Sequence, residues 1–90
     1  MAYIHIGGEY SIPKRLIVGI FDLDRTSVAR SRGTSEFLAR SEAEGRVEYV
    51  SDDLPRTFVL TLERVYVTPI TAATLRARLR TLEKRMDEYE

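Results

Sequence analysis

Leu16-Ile17-Val18-Gly19-Ile20-Phe21-Asp22-Leu23 is the least interrupted apolar run in the chain. Its eight residues include β-branched Ile17, Val18 and Ile20. Turn residues stand on either side, Pro13-Lys14-Arg15 before it and the polar stretch Asp24 to Gly33 after it. Length, branching and flanks favour a strand over a helix, and the lack of alternation predicts burial on both faces. Gly19 inside the run predicts a bulge or a close approach by another backbone.

Toward the N-terminus, Tyr3 to Ile6 and Tyr10 to Ile12 read as a hairpin around Gly7-Gly8. A three-residue loop, Gly7-Gly8-Glu9, would set Ile6 opposite Tyr10 and Ile4 opposite Ile12, which gathers the apolar residues on one face. His5 then points away from that face. Toward the C-terminus, Thr34 or Ser35 can cap a short helix from Glu36 to Glu44, with Phe37 and Leu38 inward and Gly45 ending it. Strands are expected at Val47 to Val50, Thr57 to Leu62 and Val65 to Thr68, separated by an acidic turn at Ser51 to Pro55 and a tight connection at Glu63-Arg64. Pro69 stops the last strand, and Thr71 is suited to cap a helix running to about Glu88. Leu75, Leu79, Leu82 and Met86 form a heptad-like seam on that helix. Arg76, Arg80 and Lys84 flank the seam, with Arg78 and Arg85 on the far side. The expected fold class is α+β: one domain over residues 1–90, with a small, mostly antiparallel sheet, one short middle helix and a longer C-terminal helix.

Ninety residues allow one thin core, so self-association is a natural route to further stability. The chain has no cysteine, which excludes disulfides, thiolate metal sites and thiol catalysis. No apolar segment is long enough to span a bilayer. The N-terminus lacks a basic segment followed by an apolar run, so no signal peptide is expected and the cytoplasm is the expected location. Lysine plus arginine equals aspartate plus glutamate, for a formal net charge of zero. The charges are nevertheless grouped. Lys14, Arg15, Arg25, Arg30, Arg32 and Arg40 make the first half basic, while Glu42, Glu44, Glu48, Asp52 and Asp53 make the middle acidic.

Catalytic patterns are missing. Gly7-Gly8 lacks the lysine and following helix of a phosphate-binding loop. Asp22 and Asp24 could in principle hold Mg²⁺, but no further carboxylate stands at a telling spacing, and a solvated strand end accounts for them. Asp52-Asp53 is a turn pair. His5 is the single histidine and has no partner at a spacing suited to a metal or a triad. No enzyme, cofactor, metal, small-molecule substrate or membrane partner is expected. Arginines in loops are suited to phosphate contacts, several of which together give salt-sensitive binding.

Three segments in order point to a family. Tyr3-Ile4-His5-Ile6-Gly7, Ile17-Val18-Gly19-Ile20-Phe21-Asp22 and Val65-Tyr66-Val67-Thr68-Pro69-Ile70-Thr71, leading into Thr74-Leu75-Arg76, resemble the bacterial extracellular matrix regulator family of RemA and RemB types, closer to the RemB branch. The resemblance covers nearly the whole chain. It implies a non-enzymatic cytoplasmic protein of spore-forming or related bacteria, with a fold similar to the LytTR DNA-binding domain. It also implies assembly into a homo-oligomer, a ring in RemA-type members, and transcription regulation of biofilm matrix genes by binding double-stranded DNA. Arg15 matches a basic position that RemA-type members use for DNA. Where those members carry an arginine pair, this chain has Asp52-Asp53-Leu54-Pro55-Arg56, so Arg56 replaces only part of the pair and two carboxylates stand beside it. The candidate DNA-binding residues are therefore Arg15, Arg30, Arg32 and Arg56. The alternative is an oligomeric protein-interaction module of the same fold that does not bind DNA directly.

Overall fold

The computed structural model describes residues 2–23 and 32–88, and the side chains among them except at 32–35 and 85–88. In chain order the elements are β1 (Tyr3–Gly7), β2 (Tyr10–Pro13), a 3₁₀ turn (Lys14–Leu16), β3 (Ile17–Asp22), α1 (Arg32–Ala43), β4 (Val47–Tyr49), β5 (Thr57–Thr61), β6 (Val65–Thr68) and α2 (Ala72–Glu88). The α+β class holds. The strands divide into two sheets, the β1–β2 hairpin and a four-stranded sheet ordered β3-β5-β6-β4. β5 is antiparallel to both β3 and β6, whereas β4 lies parallel to β6. Three strands, β3, β6 and β4, therefore enter the sheet from the same end and leave at the other.

The apolar run beginning at Leu16 forms β3, but at an edge of the sheet rather than buried on both faces. Val18 is 58% exposed and Phe21 44% exposed. The strands buried on both faces are the two interior ones, β6 and, more completely, β5. In β5, the neighbours Phe58 and Val59 point to opposite sides, and both are buried. The lack of alternation in the run that forms β3 therefore does not mark burial on both faces: at the sheet edge, Val18 and Phe21 stay open to solvent. On one face, Val59 joins Ile4, Ile6 and Ile12 of the hairpin, Val50 and Leu75 of α2, with Ile17, Ile20, Tyr66, Leu79 and Leu82 packed around them. On the other face, Phe58 joins Leu23, Val65 and Val67, covered in part by Leu38 of α1.

The hairpin keeps Ile4 opposite Ile12, but the register shifts between His5 and Gly7, so Gly7 rather than Ile6 lies opposite Tyr10. The extra residue turns Ile6 fully into the core. Gly7 and Gly8 carry φ of 124° and 53°, conformations that side chains rarely adopt, and a Cβ on Gly7 would lie 3.0 Å from the Thr68 hydroxyl. The hairpin tip thus presses directly on the end of the four-stranded sheet.

Gly19 lies at the predicted bulge, where the β3–β5 register shifts between Ile17 and Gly19. The group that approaches it is not another backbone but the ring of Phe21, which a Cβ would meet at 2.7 Å. The α1 helix begins at Arg32, before the expected Thr34 or Ser35 cap. Thr71 does cap α2: the Thr74 N–H donates to its hydroxyl oxygen at 3.3 Å. The seam on α2 is core, with Leu75 fully buried and Leu79 and Leu82 packed beside it. The Met86 side chain lies outside the described residues. Among the described residues, no helix is long and apolar enough to cross a membrane.

Candidate nucleic-acid interface

Strand direction decides which arginines can act together. Arg15 sits in the turn that feeds β3, and Leu16 accepts a hydrogen bond from the N–H of Leu62 at 3.0 Å. Arg56 sits at the opposite end, where its carbonyl accepts from the N–H of Leu23 at 2.8 Å. The intervening strand, at ~3.3 Å per residue, separates the two by about 20 Å. Arg32 opens α1, which descends along the sheet toward the start of β4, so its backbone lies toward the Arg56 end. Arg30 lies outside the described residues, as does the Arg32 side chain. The four candidates are therefore not one cluster.

The Arg15 end gathers cations that sequence reading did not connect. Arg46 immediately precedes β4 and Arg64 immediately precedes β6. Because β3, β4 and β6 enter from one end, Arg15, Arg64 and Arg46 fall in a row across the sheet, with Lys14 beside Arg15. Three strand spacings make that row about 14 Å long. The signal was present in the sequence as an arginine at each strand entrance, but it required knowing that the three strands point the same way.

Carboxylates are interleaved along the row. Arg64 lies 3.8 Å from Glu48, and its guanidinium also donates to the Gly45 carbonyl at 3.4 Å. Arg46 lies 3.7 Å from Glu44. Both contacts are long and solvent-exposed, so each contributes roughly 0–1 kcal/mol and can give way to a phosphate. Among the described residues, Lys14 and Arg15 form no ion pair. The far end of the sheet is acidic, since Asp52 and Asp53 stand exposed in the loop that leads to Arg56. Two side chains are further tuned by carboxylates. The Tyr10 hydroxyl donates to Glu48 and the Tyr49 hydroxyl to Glu42, and in each case the hydrogen bond to the carboxylate is the largest cause of a raised phenol pKa.

The arginines of α2 are engaged within the fold. The Leu23–Arg56 bond fixes the pairing phase of β3 and β5, and that phase turns the Ile20 carbonyl to the outer edge of β3. Arg76 donates to this oxygen at 2.9 Å. On the hairpin, the bond from the Lys14 N–H to the Ala2 carbonyl sets a phase that turns the His5 carbonyl outward, and Arg78 donates to it at 2.9 Å. The two arginines thus tie α2 between two strand edges.

No protein-family model matches the chain. A search of curated proteins shows it to be 32% identical over 76 residues to extracellular matrix regulatory protein B of Bacillus subtilis (strain 168), an alignment covering 84% of this chain and 88% of that protein.

Proposed function

This chain belongs to the family of extracellular matrix regulatory protein B, and from that premise we propose that it regulates expression of biofilm extracellular matrix genes by binding double-stranded DNA as a homo-oligomer, without catalysis. The observation that carries the DNA-binding reading is the row formed by Lys14, Arg15, Arg64 and Arg46 at the shared entrance of β3, β6 and β4. Such a row supplies phosphate contacts, which position a protein on a duplex without reading its sequence. Self-association is supported by Val18, Phe21 and Leu62, large apolar side chains left exposed by the fold.

The test is a gel-shift titration at two salt concentrations, with light scattering on the same samples. Binding that weakens steeply with salt is expected, and Arg15→Ala should lower the salt slope by about one unit while weakening binding to all sequences alike. A monomer mass would sink the oligomer.

A second reading, an oligomeric protein-interaction module that does not touch DNA, is favoured by the carboxylates Glu44, Glu48 and Glu63 set among the same cations and by the acidic Asp52-Asp53 end. An intact oligomer that gives no shift at low salt would select it.

A further inference from the structure

Between β1 and α2 lies a groove of about 290 Å³, lined by Tyr3, Ile4, His5, Arg78, Thr81 and Leu82. Its walls combine two kinds of surface. Ile4 and Leu82 belong to the apolar core cluster, so the floor is apolar. His5, Arg78 and Thr81 supply polar groups above it.

The hydrogen bonds fix how those polar groups are presented. His5 Nε2 lies 2.9 Å from the Gly8 carbonyl, which can only accept, so Nε2 carries a proton in this contact. His5 Nδ1 is then turned toward Arg78 Nη1, 3.4 Å away, and that same Nη1 donates to the His5 carbonyl at 2.9 Å. Among the described residues, the contacts of Arg78 are with the His5 ring and the His5 carbonyl. Among the described residues, no carboxylate pairs with it, although its side chain is half-buried. A guanidinium has five N–H donors, and the contacts to His5 use one nitrogen. The remaining donors stay in position for an acceptor, with the cation anchored to β1.

From this geometry we infer that the groove is a binding site for a small organic anion, a carboxylate or phosphate borne on an apolar body. The anionic group meets the outer nitrogens of Arg78, where charge-assisted and forked hydrogen bonds are strongest. The apolar body lies over Ile4 and Leu82. The volume is near the lower end of the usual range for small-molecule sites, which restricts the ligand to about the size of one ring and its anion. Occupancy would reinforce the contact that ties α2 to β1. The groove does not share its anchoring cation with the row, since Arg78 reaches β1, but it lies next to the row's end, where the Lys14 N–H bonds the Ala2 carbonyl beside Tyr3.

The experiment follows backbone amide shifts of the full chain by NMR as phenyl phosphate, benzoate, inorganic phosphate or benzyl alcohol is added. Phenyl phosphate or benzoate should produce saturable shifts at Ile4, His5, Thr81 and Leu82; which of the two binds more tightly identifies the anionic group. Inorganic phosphate and benzyl alcohol should each bind at least about tenfold more weakly, since each lacks one half of the recognition. Arg78→Gln should weaken binding by about tenfold or more, and Thr81→Trp should abolish it by filling the groove. Arg80→Gln, an exposed site elsewhere on α2, should leave it unchanged. If Arg78→Gln does not fold, Thr81→Trp still decides. No saturable shift with either aryl anion, equal shifts from inorganic phosphate alone, unaltered binding in Thr81→Trp, or equal loss in Arg80→Gln would each overturn the proposal.

Discussion

Arg76 and Ile20, 56 residues apart in sequence, are joined by a 2.9 Å hydrogen bond from the guanidinium to the carbonyl on the outer edge of β3. An unpaired strand edge is a template for unwanted pairing. Here a helix that packs its leucines inward also covers part of that edge with an arginine. Arg78 does the same for the hairpin edge at His5. These contacts bear on function, because they hold two arginines of α2 against strand edges and outside the cation row.

Arg76→Ala should lower stability by about 1 kcal/mol, since the bond is charge-assisted but exposed to solvent. Urea unfolding measures this as a lower midpoint with an unchanged slope. An unchanged midpoint would mean that water replaces the arginine at no cost.

Gly19→Ala should displace the Phe21 ring, which lies 2.7 Å from where the new Cβ would stand. That ring stacks on Phe58 with centroids 4.9 Å apart. The expected loss is about 0.5–1.5 kcal/mol, because the clash is with the tip of an exposed ring that can swing outward at the cost of its rotamer and of the stack on Phe58. The Phe21→Ala background should remove most of the penalty of the glycine substitution, a coupling that a double-mutant cycle reads directly. Equal penalties in both backgrounds would show that the glycine serves the bulge rather than the ring.

Leu75→Ala should cost about 2–5 kcal/mol, because Leu75 is fully buried between hairpin, sheet and helix. Leu54→Ala, at a side chain 73% exposed, should stay within about 0.5 kcal/mol in the monomer. If Leu54→Ala instead reduces the assembled mass in light scattering, the acidic end of the sheet forms part of the subunit contact.

The Tyr10–Glu48 link gives a pH signature at the alkaline side. Donation to the carboxylate holds the Tyr10 phenol above its ordinary value of 10.0 in the folded chain. A folded value above the unfolded one means that the contribution is full below about pH 10 and is lost as pH rises through the raised value. Tyr10→Phe should therefore flatten the alkaline fall in stability, and ultraviolet titration of the parent should show late-ionising phenols at Tyr10 and Tyr49. Superimposable alkaline profiles for parent and Tyr10→Phe would show that the link adds nothing.

Much of the fold was legible in local patterns. Thr71 announced the start of α2, Gly7-Gly8 the hairpin, and the leucine spacing the buried side of α2, because capping, positive φ and helical periodicity act within a few residues of chain. Local pattern could not say that β3 takes an edge, that Phe21 rather than a foreign backbone occupies the space over Gly19, or that β4 joins parallel to β6. The edge position and the parallel pairing depend on which elements become neighbours, a choice made by burial of the two sheet faces together; the Phe21 ring lies on the same face of the same strand as Gly19, and its rotamer over the glycine is set by its stack on Phe58. The same limit governs the candidate site. Residue types and the arginine before each strand entrance are fixed by sequence, but only strand direction places Arg15, Arg64 and Arg46 in one row and sends Arg56 about 20 Å away. Charge takes its meaning from distance, and for these residues distance is set by the sheet.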